Sequence, residues 1–242
     1  MSLLEVDGIA KAYGGVRAVD GCSFAVQAGT ITGLIGPNGS GKTTIFNLIT
    51  GYARPDSGRV RFDGRDETRS RTGRLYRLGL SRTFQQARVF GQLTVLENLV
   101  LAQGFRLPRL ASRRVARADR DRAGQLLDEF RLAPLSGTRA ADLSYGQRKL
   151  LEFAAVLMSA PRLVLLDEPT AGVNPVVIDT MERHIRARHA AGVTFLIVEH
   201  DMTFVMRLCD PVIVLDAGRP IHTGPPAEVQ RHPAVLDAYL GA

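Results

Sequence analysis

One short stretch, residues 36–44, constrains the fold of this 242-residue chain more than any other part of it. Its letters, GPNGSGKTT, fit the pattern G-x-x-x-x-G-K-[ST]. The preceding segment, Ile31–Ile35, is short and mostly apolar like a buried strand, and residues 45–50 have the pattern of a short helix that stops at Gly51. A phosphate-binding loop lies at such a strand–helix junction. The alternative is a glycine-rich turn before an ordinary helix.

The residue types of this stretch suit the binding of an anion. Gly36, Gly39 and Gly41 allow the backbone to curl so that its N–H groups point at one anion. The start of the following helix adds unpaired N–H groups and the positive end of the helix dipole. Lys42 is predicted to reach the β- and γ-phosphates of a nucleotide, and Thr43 to offer its hydroxyl to Mg²⁺. The residues predicted to contact the nucleotide here are Gly36, Pro37, Asn38, Gly39, Ser40, Gly41, Lys42, Thr43 and Thr44.

Length and composition allow one large domain or two small ones, and the 45% of hydrophobic residues suffices for a sizeable core. No window reaches the ~18 consecutive apolar residues of a membrane-spanning helix, and the first residues lack the pattern of a signal peptide. Cys22 and Cys209 are far apart in sequence, which predicts two buried, inert thiols in a reducing compartment. We therefore expect an intracellular protein without a membrane span.

The net charge of +7 comes mainly from two arginine-rich stretches, residues 69–82 and 106–122. Such stretches can bind nucleic acid or an anionic membrane surface. Acidic residues interleave with the second stretch, and aromatic residues that would stack on single strands are sparse there. We interpret the stretches as solvated surfaces and expect no nucleic-acid partner.

Polar side chains follow two further apolar segments that are typical of buried strands. Asp167 and Glu168 follow residues 163–166, and His200 comes soon after Thr194–Val198. Buried carboxylates are costly without a cation, and ligands of an open α/β sheet bind at the carboxyl ends of its strands. We therefore expect these side chains to converge with the phosphate loop. The alternatives are an acidic strand-end loop and a structural histidine.

The remaining pattern predicts the elements around this site. Residues 3–35 alternate like half-buried strands, and residues 58–62 alternate up to a hairpin signal, Asp63-Gly64. We therefore expect the phosphate loop to lie in a partly antiparallel sheet. Residues 86–160 are predicted to form a mostly helical lobe inserted into the α/β core.

Two helix starts are marked in the sequence. Ser144 and Gln147 fit a capping box that opens a helix through Leu157, and by itself this stretch predicts only a well-capped helix. Asn174 and Pro175 fit the N-cap and first position of another helix.

In this order, the motifs resemble those of the ATP-binding subunits of ABC transporters, over nearly the whole chain. Residues 36–44 resemble Walker A, residues 143–147 (LSYGQ) resemble the ABC signature, and residues 163–168 resemble Walker B with its catalytic glutamate. Three single residues also match the family. Tyr13 corresponds to the aromatic residue that stacks on adenine, Gln85 to the Q-loop glutamine, and His200 to the switch histidine.

The resemblance implies an α/β fold: a P-loop NTPase core of the ABC ATPase type with an N-terminal antiparallel β-subdomain. A helical subdomain is inserted at about residues 86–160, all within one domain, residues 1–242. The implied reaction is ATP hydrolysis with Mg²⁺, in which Glu168 acts as general base and His200 contacts the γ-phosphate. The implied catalytic residues are Lys42, Gln85, Glu168 and His200, and the implied metal ligands are Thr43, Gln85 and Asp167.

The resemblance further implies that one chain leaves its ATP site incomplete. Ser144, Gly146 and Gln147 would cap the ATP bound by a second ATPase subunit, either the same chain or a paralogue, arranged head to tail. The other implied partners are integral membrane permease subunits and, indirectly, a substrate-binding protein. The chain would then be a peripheral subunit at the cytoplasmic face of the inner membrane.

Within that family, the chain is most similar to the ATPases of branched-chain amino acid importers. The stretches that carry this similarity are residues 82–98, 171–175, 199–202 and 238–241. Tyr145 and Asn174 depart from the general family pattern but occur in this group. The resemblance therefore implies ATP-driven uptake of branched-chain or related amino acids.

Other functions share much of this machinery. ATPases of urea or amide import and of lipopolysaccharide export are near relatives. A non-transport ABC ATPase acting on DNA or ribosomes is favoured slightly by the basic stretches. The single cassette and the short separation of Thr43 from Asp167 oppose it. A GTP switch would need an N-K-x-D motif, which the chain lacks. The transported substrate is set by other polypeptides.

Overall fold

The computed structural model describes residues 1–103 and 113–240. The chain divides into two compact units. The first comprises Met1–Arg82, Arg162–Glu168 and Ile185–Ala242, and the second comprises Thr83–Pro161 and Pro169–His184. Parts of the predicted helical lobe and of the second basic stretch (residues 104–112), and the end of the importer-like C-terminal stretch (residue 241), lie outside the described residues.

All the strands belong, within the described ranges, to two sheets of the first unit. They are β1 (Ser2–Tyr13), β2 (Val16–Gln27), β3 (Ile31–Ile35), β4 (Ser57–Phe62), β5 (Arg65–Asp66), β6 (Leu80–Arg82), β7 (Leu163–Asp167), β8 (Thr194–Val198), β9 (Val212–Asp216) and β10 (Arg219–Gly224). A four-stranded antiparallel sheet has the order β2-β1-β4-β5, and a six-stranded sheet has the order β10-β9-β3-β8-β7-β6.

The strand β3 lies inside the six-stranded sheet, with β8 and β9 as its parallel neighbours. The strands β6, β7 and β8 also pair in parallel. Every residue of β3, β7 and β8 is buried, as expected of parallel strands that are covered on both faces. The carboxyl ends of these strands meet at one edge of the sheet, where the phosphate loop follows β3.

The N-terminal antiparallel subdomain is confirmed, but the expectation that its strands share a sheet with the phosphate loop is wrong. The alternating strands β1, β2 and β4 form a separate sheet, and the sheet of the loop contains a single antiparallel pair, β9 with β10, among the described residues. The reason is that alternating strands can bury only one face, whereas continuous apolar runs bury both. The hairpin at Asp63-Gly64 is confirmed: both residues have positive φ, 53° and 72°, as a type I′ turn requires.

One apolar core joins both sheets of the first unit to the helix Lys42–Ile49, which follows the phosphate loop. Val19 of β2, Phe62 of β4, Leu34 of β3 and Phe46 of the helix are all buried in the same cluster. The antiparallel sheet therefore packs in the same core as the helix that follows the phosphate loop.

The described residues form helices at the two marked starts and at other positions. The helices are Lys42–Ile49, Thr72–Leu78, Val95–Ala102, Arg113–Glu129, Tyr145–Leu157, Pro175–Ala190, Met202–Leu208, Pro226–Val229 and Pro233–Leu240. Ser144 and Gln147 form the predicted capping box, with N···O distances of 3.3 and 2.8 Å. Asn174 Oδ1 accepts a hydrogen bond from the N–H of Val177 (3.0 Å), as an N-cap does. The single domain with a helical insertion at residues 86–160 stays a prediction.

The expectations from composition have structural counterparts. Cys22 and Cys209 are free thiols, and their predicted burial is confirmed; burial raises the pKa of each to about 12. No helix within residues 1–103 and 113–240 is long and apolar enough to cross a membrane. Three arginines of the basic stretches are engaged within the fold: Arg74 pairs with Glu67, Arg82 pairs with Asp167, and Arg122 donates to backbone carbonyls.

Replacing Val19, which is fully buried in this core, should lower the stability of the first unit. Val19→Ala is expected to lower the free energy of unfolding by about 2 kcal/mol, because it removes buried apolar volume beside the phosphate-loop helix. Val16 lies in the same strand but is 70% exposed. Val16→Ala is therefore the matched control, with an expected change below about 0.5 kcal/mol. Urea unfolding followed by circular dichroism measures both, and equal losses would contradict the burial of Val19.

Candidate functional site

The phosphate loop (residues 36–44) runs so close to other backbone that two of its positions exclude a side chain. Gly36 and Gly41 both have positive φ, 153° and 98°. A Cβ would lie 2.2 Å from the carbonyl oxygen of Leu215 at the first position, and 2.5 Å from that of Ala18 at the second. Glycine is therefore required at both positions, and the helix Lys42–Ile49 starts directly after the second.

The side chain of Lys42 folds back over the loop. Its Nζ donates hydrogen bonds to the carbonyl oxygens of Gly36 (2.7 Å) and Pro37 (2.9 Å). Burial lowers the pKa of Lys42, and the nearby carboxylates of Glu168 and Asp167 oppose this shift. A phosphate would offer charged oxygens, which bind an ammonium group more strongly than carbonyl oxygens do. The lysine is therefore placed to exchange its carbonyl partners for an anion held in the loop.

The other predicted loop contacts differ in exposure. Asn38, Gly39 and Thr43 are exposed, Pro37 and Thr44 are half-buried, and Ser40 is buried. Tyr13 ends β1 with 51% of its surface exposed, and Lys11 Nζ lies 5.5 Å from the centroid of its ring. A half-exposed ring retains a face on which a planar ligand can stack.

Asp167, at the end of β7, is buried and paired with an arginine. Its Oδ2 lies 2.5 Å from Nη2 of Arg82, which ends the neighbouring strand β6. The same guanidinium also donates to Asn47 Oδ1 (2.7 Å) and Thr50 Oγ1 (3.3 Å). The sequence indicated that a carboxylate here needs a cation but did not identify Arg82, because only the pairing of β6 with β7 brings the two side chains together.

Glu168 and His200 lie close together, at the ends of β7 and β8. Glu168 Oε2 is 3.8 Å from Nδ1 of His200. The backbone of Glu168 has a positive φ of 45°, and its N–H donates to the carbonyl oxygen of Val198 (2.9 Å). Positive φ in a non-glycine residue is strained and persists only where the surroundings impose it. The fully buried Glu199 accepts hydrogen bonds from the N–H groups of His200 (3.0 Å) and Asp201 (3.3 Å). The histidine backbone is thereby anchored while its ring is 63% exposed.

In the second unit, Gln85 lies on a loop whose backbone is held by two buried charged residues. Lys149 Nζ donates to the carbonyl oxygens of Gln85 (2.6 Å) and Phe84 (3.3 Å). Glu152 Oε1 accepts from the N–H groups of Phe84 and Arg88, each at 3.1 Å. Sequence reasoning missed Lys149 and Glu152, although two charges on the apolar face of a helix are a readable signal.

The predicted signature residues have structural roles within the second unit. Ser144 and Gln147 cap the helix Tyr145–Leu157. A Cβ at Gly146 would lie 2.9 Å from Cγ2 of Val177, so a glycine is needed for close packing there. These roles are compatible with a ligand contact at the start of the helix, because backbone N–H groups point outward from that end.

Glu152 gives a pH-dependent prediction, because burial raises its pKa from 4.5 to about 7 against the opposing hydrogen bonds and the charge of Lys149. The folded chain holds this proton more tightly than the unfolded chain. Its contribution to the free energy of unfolding is therefore complete below about pH 4.5 and is lost as pH rises through about 7, on the order of 3 kcal/mol in all. Glu152→Gln does not titrate, so its stability relative to the parent should rise between about pH 5 and pH 8.

Urea unfolding across that pH range measures this difference. Glu97→Gln is the contrasting control, since hydrogen bonds from Thr94 lower the pKa of Glu97. Because a lowered pKa places its titration below about pH 4.5, the stability of that variant relative to the parent should stay constant between about pH 5 and pH 8. The same trend in both variants would contradict the assignment.

Comparison with known protein families gives two matches. Residues 19–171 match the model described as ABC transporter, and residues 219–242 match the model described as branched-chain amino acid ATP-binding cassette transporter. The chain is 38% identical to the high-affinity branched-chain amino acid transport ATP-binding protein BraF of Pseudomonas aeruginosa, over 99% of this chain and 98% of the relative. It is also 38% identical to the probable branched-chain amino acid transport ATP-binding protein LivG of Archaeoglobus fulgidus, over 100% and 96%.

A solved structure supports the same fold over the full length. A nucleotide-free ATP-binding cassette from an ABC transporter superimposes with a TM-score of 0.89 at 34% identity, and both chains are covered completely.

Proposed function

The chain belongs to the ABC transporter family of ATP-binding cassettes, and we propose that it is the ATP-hydrolysing subunit of an importer for branched-chain or related amino acids. One observation carries the proposal: the chain matches branched-chain amino acid transport ATP-binding proteins of a bacterium and an archaeon end to end. The match of residues 219–242 to the model of that subgroup supports it independently of the nucleotide motifs. The family resemblance that the motifs indicated is thereby confirmed.

The reaction is hydrolysis of ATP, in which catalysis is mostly positioning and neutralisation of charge. Lys42 and the N–H groups of the phosphate loop hold the phosphates, and Tyr13 stacks on the base. Glu168 takes a proton from the attacking water as general base, and His200, 3.8 Å from it, contacts the γ-phosphate.

The residues at the site suit Mg²⁺. Thr43 is exposed, and Asp167, whose buried carboxylate pairs with Arg82, is proposed to contribute to the shell of the ion. Mg²⁺ is usually bound through one or two such oxygen ligands plus phosphates and water. The part of the chain that the structure describes holds no group of three or more His, Cys, Asp or Glu side chains that would form a dedicated metal cage. Bound Mg²⁺ would neutralise charge on the phosphate oxygens, and Gln85 is proposed as its further ligand.

A second ATPase subunit, the same chain or a paralogue, would complete the site. Ser144, Gly146 and Gln147 would cap its ATP, in the manner of the ABC signature. The chain would dock as a peripheral subunit on permease subunits at the cytoplasmic face of the membrane, and a substrate-binding protein would deliver the amino acid to them. We further propose that residues 1–242 act as one ATPase domain with a helical subdomain inserted at about residues 86–160.

Replacing the general base should separate ATP binding from turnover. Glu168→Gln keeps the shape of the side chain but cannot accept the proton of water, so kcat should fall about 10²–10⁴-fold while ATP still binds. Phosphate release and equilibrium ATP binding measure the two quantities. Glu5→Gln, at a half-buried position in β1, is the control. Turnover of the Glu168 variant equal to that of the control would remove the role assigned to Glu168.

The importer assignment is tested in native membranes. The tagged chain, purified after gentle solubilisation, should bring multi-span permease subunits with it. Vesicles reconstituted from that complex and its binding protein should take up leucine, isoleucine or valine only with ATP. Copurification with nucleic acid or ribosomes instead would contradict import and leave the ATPase activity intact.

A further inference from the structure

The helix Tyr145–Leu157, here called the signature helix, carries two buried charges on one face. Lys149 and Glu152 are 2% and 5% exposed and lie three residues apart, which places them on the same side of the helix. Buried charges are costly unless partners satisfy them. The partners lie in residues 84–88, here called the glutamine loop because it contains Gln85.

The hydrogen bonds of this pair bracket Gln85. Glu152 accepts from the N–H groups of Phe84 and Arg88, on either side of it, and Lys149 donates to the carbonyl oxygen of Gln85 itself. The carboxylate of Glu152 thus pairs with N–H groups of the loop backbone, and the ammonium of Lys149 pairs with a carbonyl oxygen of it. The hydrogen bonds that the Lys149 ammonium donates are charge-assisted and roughly twice as strong as neutral ones.

Two further features restrict the loop. It begins just after β6 ends at Arg82, so its backbone groups lie beyond the ladder of the sheet. The guanidinium carbon of Arg88 lies 3.9 Å from the centroid of the Phe84 ring, which ties the two ends of the loop together. The backbone of Gln85 is therefore held while the residue itself is exposed.

We propose that Lys149 and Glu152 are positioning residues for ATP hydrolysis, because they clamp the glutamine loop to the signature helix. The clamp makes Gln85 and Ser144, at the start of that helix, move as one body. The inference rests on the proposed function, in which Gln85 acts on the bound nucleotide. Loss of the clamp should impair turnover and leave the affinity for ATP nearly unchanged, since Lys42 and the phosphate loop bind the phosphates.

Four substitutions separate the clamp from general stability. Glu152→Ala removes the acceptor, whereas Glu152→Gln keeps an acceptor oxygen in the same place. Lys149→Met removes the donor but keeps the apolar stem, whereas Lys149→Arg keeps a charged donor. Arg122→Gln is the matched control, because Arg122 donates to the carbonyls of Leu157 (2.8 Å) and Met158 (3.0 Å) at the other end of the same helix.

Amide hydrogen exchange, resolved by NMR, reports the clamp directly in the full chain. In Glu152→Ala the amides of Phe84 and Arg88 should exchange at least about tenfold faster. Glu152→Gln should retain their protection, and Arg122→Gln should leave it unchanged.

Steady-state ATP hydrolysis reports the consequence, at a temperature where urea unfolding shows every variant to be folded. Glu152→Ala and Lys149→Met should each lower kcat about tenfold with KM within about twofold of the parent. The conservative variants Glu152→Gln and Lys149→Arg should restore most of kcat, and Arg122→Gln should leave it unchanged.

Three outcomes would overturn the inference. They are unchanged exchange of the two amides in Glu152→Ala, faster exchange with an unchanged kcat, and an equal loss of kcat in Arg122→Gln. A parent chain without ATPase activity would instead overturn the proposed function, and the exchange measurement would still decide whether the clamp exists.

Discussion

The close approach of backbone to backbone at the phosphate loop is the constraint on which the nucleotide-binding unit depends. Gly36 and Gly41 have no room for a Cβ, because carbonyl oxygens of β9 and β2 lie where it would be. The turn after β9 adds hydrogen bonds: the N–H of Gly218 donates to Ser40, and its carbonyl accepts from Asp20, both at 3.1 Å. Strands from both ends of the chain thus set the shape of one short loop.

Buried acids lie in both units, and each has its own compensation. Asp167 is paired with Arg82, Glu199 accepts two backbone N–H groups next to it, and Glu152 accepts two from the glutamine loop. A carboxylate removed from water requires such partners. The polar groups around the proposed reaction are therefore held in place before any nucleotide binds, which lowers the reorganisation that catalysis requires.

The chain distributes the tasks of an ABC ATPase between its two units. The phosphate loop and the strand-end residues Glu168 and His200 belong to the first unit, whereas Gln85 and the signature motif belong to the second. The clamp of Lys149 and Glu152 would keep Gln85 and the signature motif in a fixed position relative to each other during the ATP cycle. Arg74, Arg82 and Arg122, which belong to the basic stretches, make contacts within the fold. These contacts do not favour nucleic-acid binding over transport.

The sequence by itself determined the features that depend on a few neighbouring residues: the phosphate loop, the capping box of Ser144, the N-cap of Asn174, and the strands that end in acids. Local backbone conformation decides these features, so a short motif suffices to predict them. Tertiary structure alone decided which charges meet, because Arg82 and Asp167 are 85 residues apart and Lys149 and Gln85 are 64 apart. It also sorted the antiparallel strands into their own sheet, since strand pairing and burial are set by packing over the whole unit.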